Sequence, residues 1–438
     1  MRVIALIGIL GISCLASPAV TARQDEAATV SVPGRSSQTP WAMALGDFVA
    51  VAFGAQAPQG APDVFVAVSR DGGRRFSTPV RVNATEGEAR LGGELPPRVG
   101  LVARPGTEPE IVVAYGAKGQ GTEIRIARST DGGRTFSASR ALQAPGAPGD
   151  RGWHAMALDA RGQAHVMWLD HRGLAAPAAA PGGHHPEPAG HHPEPAGHHA
   201  ERQAIDGVAM AERSGLYYAR DGSEPGAERE LLKGVCYCCK VALITRPGGG
   251  LLAAWRHVYP GNVRDIAFIA SPDGGHSFGP PGRVSVDDWH LAGCPDDGPA
   301  LAIDGRGTAH VVWPTVLGGP TPEGALFYAS SADGRTFSGR TRIPTLGSPR
   351  PMHPQVMVDG ADRIHVAWDE VVNGVRQAAV RGLQFDEAGQ PIFGATRRLG
   401  TPDTHTSYPL LVSTPTGPLV VYVEGRAGAS VIRVHLLR

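Results

Sequence analysis

The sequence predicts an all-β fold, a β-propeller of seven four-stranded antiparallel blades, with six blades as the alternative. Three observations predict it. The chain is rich in Gly (59) and Pro (38) and lacks long helix-forming runs, which suits many short strands joined by tight turns. A short turn motif recurs along it. A second repeat, of paired apolar strands, is interleaved with the first.

The turn motif reads "SRDGGRRF" (69–76), "STDGGRTF" (129–136) and "SPDGGHSF" (271–278). "SADGRTF" (331–337) is one glycine shorter, and degenerate copies stand at "ARDGSEPG" (219–226) and "FDEAGQPIF" (385–393). In such a turn Asp accepts backbone N–H bonds, the glycines take positive φ, and the aromatic residue plugs into the core. The motif resembles the Asp box, S-x-D-x-G-x-x-[WF], of the sialidase and BNR-repeat superfamily. The resemblance covers nearly the whole mature chain and implies a propeller whose Asp boxes are structural and lie away from the active face.

The strand repeat is clearest at "MALDARGQAHVMW" (156–168), "LAIDGRGTAHVVW" (301–313) and "VMVDGADRIHVAW" (356–368). Weaker versions begin at 101, 242 and 410. Each is a strand, a turn and a second strand, and the Asp box then joins a third strand to a fourth. Inner strands start near Trp41, Arg98, His154, Lys240, Pro299, Pro354 and Tyr408, giving seven blades. The last has only three strands before the chain ends. "ATVSVP" (28–33) would supply its fourth and close the ring without an exposed edge. His165, His310 and His365 occupy one repeated position, which favours packing over catalysis.

Residues 1–22 read as a secretory signal: Arg2, an apolar run, then "VTA". Residues 23–438 then form a single propeller domain, exported to the periplasm or beyond. Lipid anchoring at Cys14 is the less favoured alternative, since "GISC" lacks the usual Leu three residues earlier. Blade three is interrupted at 173–204 by a His/Pro-rich insertion with three His-His pairs seven residues apart, a composition that often binds metal. Lys plus Arg (41) balances Asp plus Glu (41), so no basic surplus points to nucleic acid. The chain is expected to be a monomer.

Repeat phase places inner-strand starts and second-strand ends on one face. The starts bring Arg98, His154, Cys236, Cys238, Cys239, Cys294, His353, His405 and Tyr408 there. The strand ends bring Asp170, His171, His257, Asp369, Glu370 and Glu424. Cys236, Cys238 and Cys239 crowd one stretch, "GVCYCCK", and Cys294 lies on the next blade. Thiolates and imidazoles are soft ligands suited to copper, or second to zinc, so the expected metal set is Cys236, Cys238, Cys239 and Cys294 with His290, His353 and His154 nearby. Two disulfides, or a redox-active thiol, are the other readings of the same cysteines.

The sialidase resemblance implies three arginines on a substrate carboxylate, a Tyr–Glu nucleophile pair and an Asp acid/base. This chain departs from that pattern. The first blade begins "TPWAMAL" without the expected arginine motif, and "TRIP" (341–344) falls on a fourth strand. Arg98, with Tyr408 and Glu424 as a pair, are the candidates that remain. The sequence thus leads to an exported, metal-binding propeller whose enzymatic character is open but disfavoured. The alternative is a sialidase-like glycoside hydrolase or glycan-binding propeller with its cysteines in disulfides. The partners expected are a metal ion, with a glycan or another exported protein next.

Overall fold

The structure is a computed structural model that describes residues 27–175, 207–291, 293–318 and 322–437. The expected signal at 1–22, Cys14 and the His-rich pairs lie outside the described residues. Of the 173–204 insertion, only its first three residues fall within them.

Seven antiparallel sheets are arranged in sequence order, each with four strands on its main path. Each innermost strand touches those of its two neighbours, and the innermost strand of the last sheet touches that of the first. The result is a closed seven-bladed ring. Blade three, for example, runs Arg151–Leu158, Ala164–Asp170, Gly215–Arg220 and Arg229–Lys233 from inside to outside. Blade seven takes Thr406–Thr414, Gly417–Glu424 and Val431–Leu436 from the C-terminus, and Ala28–Val30 from the N-terminus as its fourth strand. Ala28 pairs with Val434 and Val30 with Ile432, so the ring closes as its sequence anticipated.

Second strands are apolar along their whole length because both faces are covered by neighbouring blades. Phe48–Gln56 and Ala164–Asp170 are buried almost throughout. One repeated position on these strands holds Phe53, Tyr115, Trp168, Trp255, Trp313, Trp368 and Tyr422, all buried. Burying each such side chain contributes about 1.5–3 kcal/mol, which makes the interfaces between blades the core of the molecule.

The four good turn motifs share one geometry. Ser129 Oγ donates to Asp131 at 2.8 Å and accepts the Gly133 N–H at 2.9 Å, while Asp131 accepts the Thr135 N–H at 3.0 Å. Gly133 sits at φ 86°, which a side chain would oppose. The closing aromatics Phe76, Phe136, Phe278 and Phe337 each pack into the seam with the preceding blade. The two degenerate copies do not form this turn, because Ala219 and Phe385 stand where the serine would be. Asp221 instead accepts from Arg128 and Arg140.

The repeated histidines bond within their own blades, two to the third strand and one to the turn after the first. His165 Nδ1 lies 2.7 Å from the Tyr218 hydroxyl, and His310 Nδ1 2.7 Å from that of Tyr328. His365 Nε2 lies 3.0 Å from Asp359 in the turn between its strands. No helix among the described residues is long and apolar enough to cross a membrane.

Candidate functional site

Inner strands do not run smoothly to the face opposite the Asp boxes. Their pairing slips between Gln38 and Trp41, Gly152 and Ala155, Met352 and Gln355, and Ser407 and Leu410. Each slip is a β-bulge at the same repeat position, a device that re-aims a side chain. The residues at these bulges are Thr39, Trp153, His353 and Tyr408, at φ 49°, 51°, 52° and 50°. Such φ is costly for residues with bulky side chains, by about 1–3 kcal/mol, and collects at functional sites. The strand pairing puts Pro96, Lys240 and Gly298 at the equivalent places in the other three blades.

These positions ring the channel mouth, and a small cavity opens among them. Thr39, Pro96, Lys240, His353 and Tyr408 line it together with Gly93 and Glu94. Glu94 accepts the Lys240 ammonium at 3.0 Å and the N–H groups of Lys240 and Gly298 at 3.0 and 2.7 Å. Asp297 lies 3.8 Å from the same ammonium and accepts the His353 N–H. His353 Nδ1 meets Asp369 at 2.8 Å, and the same carboxylate accepts the Tyr408 N–H and the Arg376 guanidinium. The rings of His353 and Tyr408 are 4.2 Å apart. The Tyr408 hydroxyl lies over Gly93, where a Cβ would collide with it, and no described group takes that hydroxyl in a hydrogen bond.

The electrostatics are those of a desolvated cluster. Burial raises the Asp297 carboxyl to about 7; the Lys240 charge opposes this and the Glu94 charge adds to it. Burial disfavours the His353 imidazolium, but the Asp369 charge and hydrogen bond outweigh it and raise its pKa. Burial, then the Asp369 charge, push the Tyr408 phenol up. A carboxyl poised near neutrality at His353, whose imidazole stacks on a phenol, belongs to a set that can move protons.

Several predicted residues serve the fold instead. Asp170 and Glu370 accept the indole N–H of Trp168 and Trp368 at 3.1 and 2.7 Å, and His257 faces that of Trp255 at 3.4 Å. Arg98 is fully buried with its guanidinium 3.7 Å from the centre of the Trp41 ring, and burial lowers its pKa to about 9. It has no open face for a substrate carboxylate. Glu424 is held by Arg433 at 2.6 Å, whereas Tyr408 stacks on His353, so the expected Tyr408–Glu424 pair does not form.

The cysteines are divided. Cys238 and Cys294 form a disulfide, and Cys236 and Cys239 remain free thiols. The Sγ atoms of Cys236, Cys238 and Cys239 lie 3.6–3.9 Å apart in a buried pocket, the one group of metal-ligand spacing among the described residues. Cys294 is therefore bonded to one of its expected co-ligands, and the four sulfurs are not four free donors. The histidines expected beside them lie elsewhere. His154 is buried against the Ala114 carbonyl at 3.2 Å, with its pKa pushed down to about 3 by burial and Arg98. His290 is exposed beside Gly261 and Asp288, and His353 belongs to the mouth.

No family model matches the chain, and no curated protein does. Solved structures do. A polysaccharide lyase family PL25 ulvan lyase, bound to a GlcA(1-4)Rha3S saccharide, aligns over 94% of this chain and 96% of its own at TM-score 0.57 and 11% identity. The Hadza microbial sialidase Hz136 aligns over 88% and 73% at TM-score 0.45 and 15% identity. The chain is a seven-bladed Asp-box propeller. At these identities the likeness is one of fold.

The propeller's mouth also contains groups that the sequence reading passed over: Glu94, Asp297 and Arg376. A signal for the ring was present. Pro follows the mouth residue in five blades, as in Thr39-Pro40, Pro96-Pro97, Gly298-Pro299, His353-Pro354 and Tyr408-Pro409.

Proposed function

We propose that this is a glycan-directed propeller that binds a carboxylate-bearing saccharide at its channel mouth, with Tyr408 and His353 in the proton-transfer roles. One observation carries the reading. Thr39, His353 and Tyr408, three of the four residues at one bulged repeat position, converge on one cavity at positive φ, and the Tyr408 hydroxyl there is uncommitted. Arg376, paired with Asp369 but with its side chain 30% exposed, is the cation offered to a substrate carboxylate, and Lys240 lines the cavity. The fold shared with an ulvan lyase suggests glucuronate-bearing saccharides as the ligands to try first. Export, expected from residues 1–22, fits an oxidised Cys238–Cys294 pair.

Calorimetric titration of the full chain with glucuronate- and sialate-bearing oligosaccharides, beside their neutral counterparts, tests the reading. The acidic ligands should bind at least about tenfold tighter, a difference of about 1.4 kcal/mol. Binding that ignores the carboxylate, or no binding of either class, defeats it. The soft-metal reading rests on a different observation, the sulfur triangle.

A further inference from the structure

Independently of the channel mouth, the cysteines make a second site. We propose that the Cys238–Cys294 disulfide is a redox gate on a buried three-thiolate site for Cu(I), formed by Cys236, Cys238 and Cys239.

Geometry is the first support. The point equidistant from the three sulfurs lies about 2.2 Å from each, close to the length of a metal–thiolate bond, about 2.3 Å. Even in the disulfide form the three sulfurs stand at the spacing such a cation requires. No fourth His, Cys, Asp or Glu atom joins the group among the described residues. A closed zinc site would want four ligands, whereas a soft monovalent cation is served by thiolates alone.

Charge is the second. The Arg264 side chain is buried, its Nη1 lies 3.0 Å from Cys236 Sγ, and its Nη2 has no hydrogen-bond partner. Neither Arg264 nor the equally buried Arg256 forms an ion pair with a carboxylate among the described residues. A buried cation without a counter-charge is costly. Three thiolates holding one Cu(I) carry two net negative charges, which answers the Arg264 guanidinium and adds to the single Asp297 residue that Arg256 already faces.

Access makes the disulfide a gate. Cys294 is exposed, while Cys236, Cys238 and Cys239 are buried. An external dithiol therefore reaches the bond at Cys294. Its thiolate attacks the Cys294 sulfur, the S–S bond breaks, and the electron pair leaves on Cys238 inside the pocket. The donor's second thiolate then displaces the Cys294 thiolate, which takes up a proton. The donor is oxidised to a disulfide and the protein gains two electrons. Cu(I) entering the pocket replaces the thiol protons, which leave to solvent. While the disulfide stands, one of the three ligands is withheld.

The full chain, prepared oxidised and then reduced with a phosphine that is removed under anaerobic conditions, is titrated with Cu(I) buffered by bicinchoninate. The reduced protein should take one Cu(I) per chain and the oxidised form more than about 100-fold less tightly, beyond what loss of an outer hydrogen-bond partner costs. Cys294→Ser, kept anaerobic, should bind one Cu(I) without any reductant, because Cys238 then lacks the partner that withholds it. Cys238→Ser should bind weakly in either state. Circular dichroism identifies folded variants. Equal binding by oxidised and reduced protein overturns the gate. Absence of binding by both the reduced protein and folded Cys294→Ser overturns the site.

Discussion

His353 and Tyr408 occupy the same bulged position on neighbouring blades, stack with ring centroids 4.2 Å apart, and share Asp369 as the acceptor of an imidazole bond and a backbone N–H. Blade repetition thus becomes a site: one structural position, repeated around the channel, presents different chemistry in each blade. Asp369 fixes both residues, so it acts by positioning.

The buried acid Asp297 should make stability depend on pH. Its carboxyl ionises near 3.8 when unfolded and at about 7 when folded. Stability that it supports is complete below pH 3.8 and is lost as pH rises to about 7. The His353 pKa is also raised, so its contribution is present below about 6.5 and declines as pH rises through the folded value. Thermal melts across this range should show a falling midpoint. Asp297→Asn should flatten the acidic part of the fall and His353→Gln the part above 6.5. Unchanged pH profiles in both variants would count against the cluster as described.

Ser129→Ala should unhook an Asp box. Gly133 N–H, buried in the turn, loses its acceptor and Asp131 loses a donor. A buried donor left unpaired costs about 1–3 kcal/mol. Urea unfolding measures it, and saccharide binding at the other face should be unchanged.

Glu370→Leu should be worse. That buried carboxylate accepts the Trp368 indole and the N–H groups of Leu346 and Ser348. Removing it strands three neutral donors at about 1–3 kcal/mol for each that stays buried, and denaturant unfolding should show a larger loss than Ser129→Ala does.

Ring closure gives a prediction at the chain's start. Val30 is buried in the seam formed where the N-terminal strand joins blade seven. Val30→Asp would place an unpaired carboxylate there and should lower the melting midpoint and promote association through the freed strand edge. Light scattering and calorimetry read both effects.

The blades were legible because their signals are local. A serine two residues before an aspartate, a glycine at positive φ and a closing phenylalanine all lie within one turn, and strand alternation lies within one blade. The N-terminal strand was legible from arithmetic, since blade seven lacked a partner. The mouth was harder. Phase alone put Asp170 and Glu370 on the functional face, but their carboxylates face indoles two residues away. Bulges decide which side chains turn inward, and Lys240 enters the site only because Glu94, far away in sequence, meets it across the ring. The cysteine cluster was visible as composition, yet the pairing of Cys238 with Cys294 depends on the distance between two blades.

An acidic saccharide bound beside His353 and Tyr408 would change the surroundings of the His353 imidazole. The most direct measurement is the ring-proton NMR signal of His353, assigned by comparison with His353→Gln, during titration of the full chain with a glucuronate-bearing oligosaccharide. A saturable shift should track the calorimetric binding curve, with binding weakened at least about tenfold, about 1.4 kcal/mol, in Tyr408→Phe. Saccharide binding that leaves the His353 signal unmoved would contradict that placement.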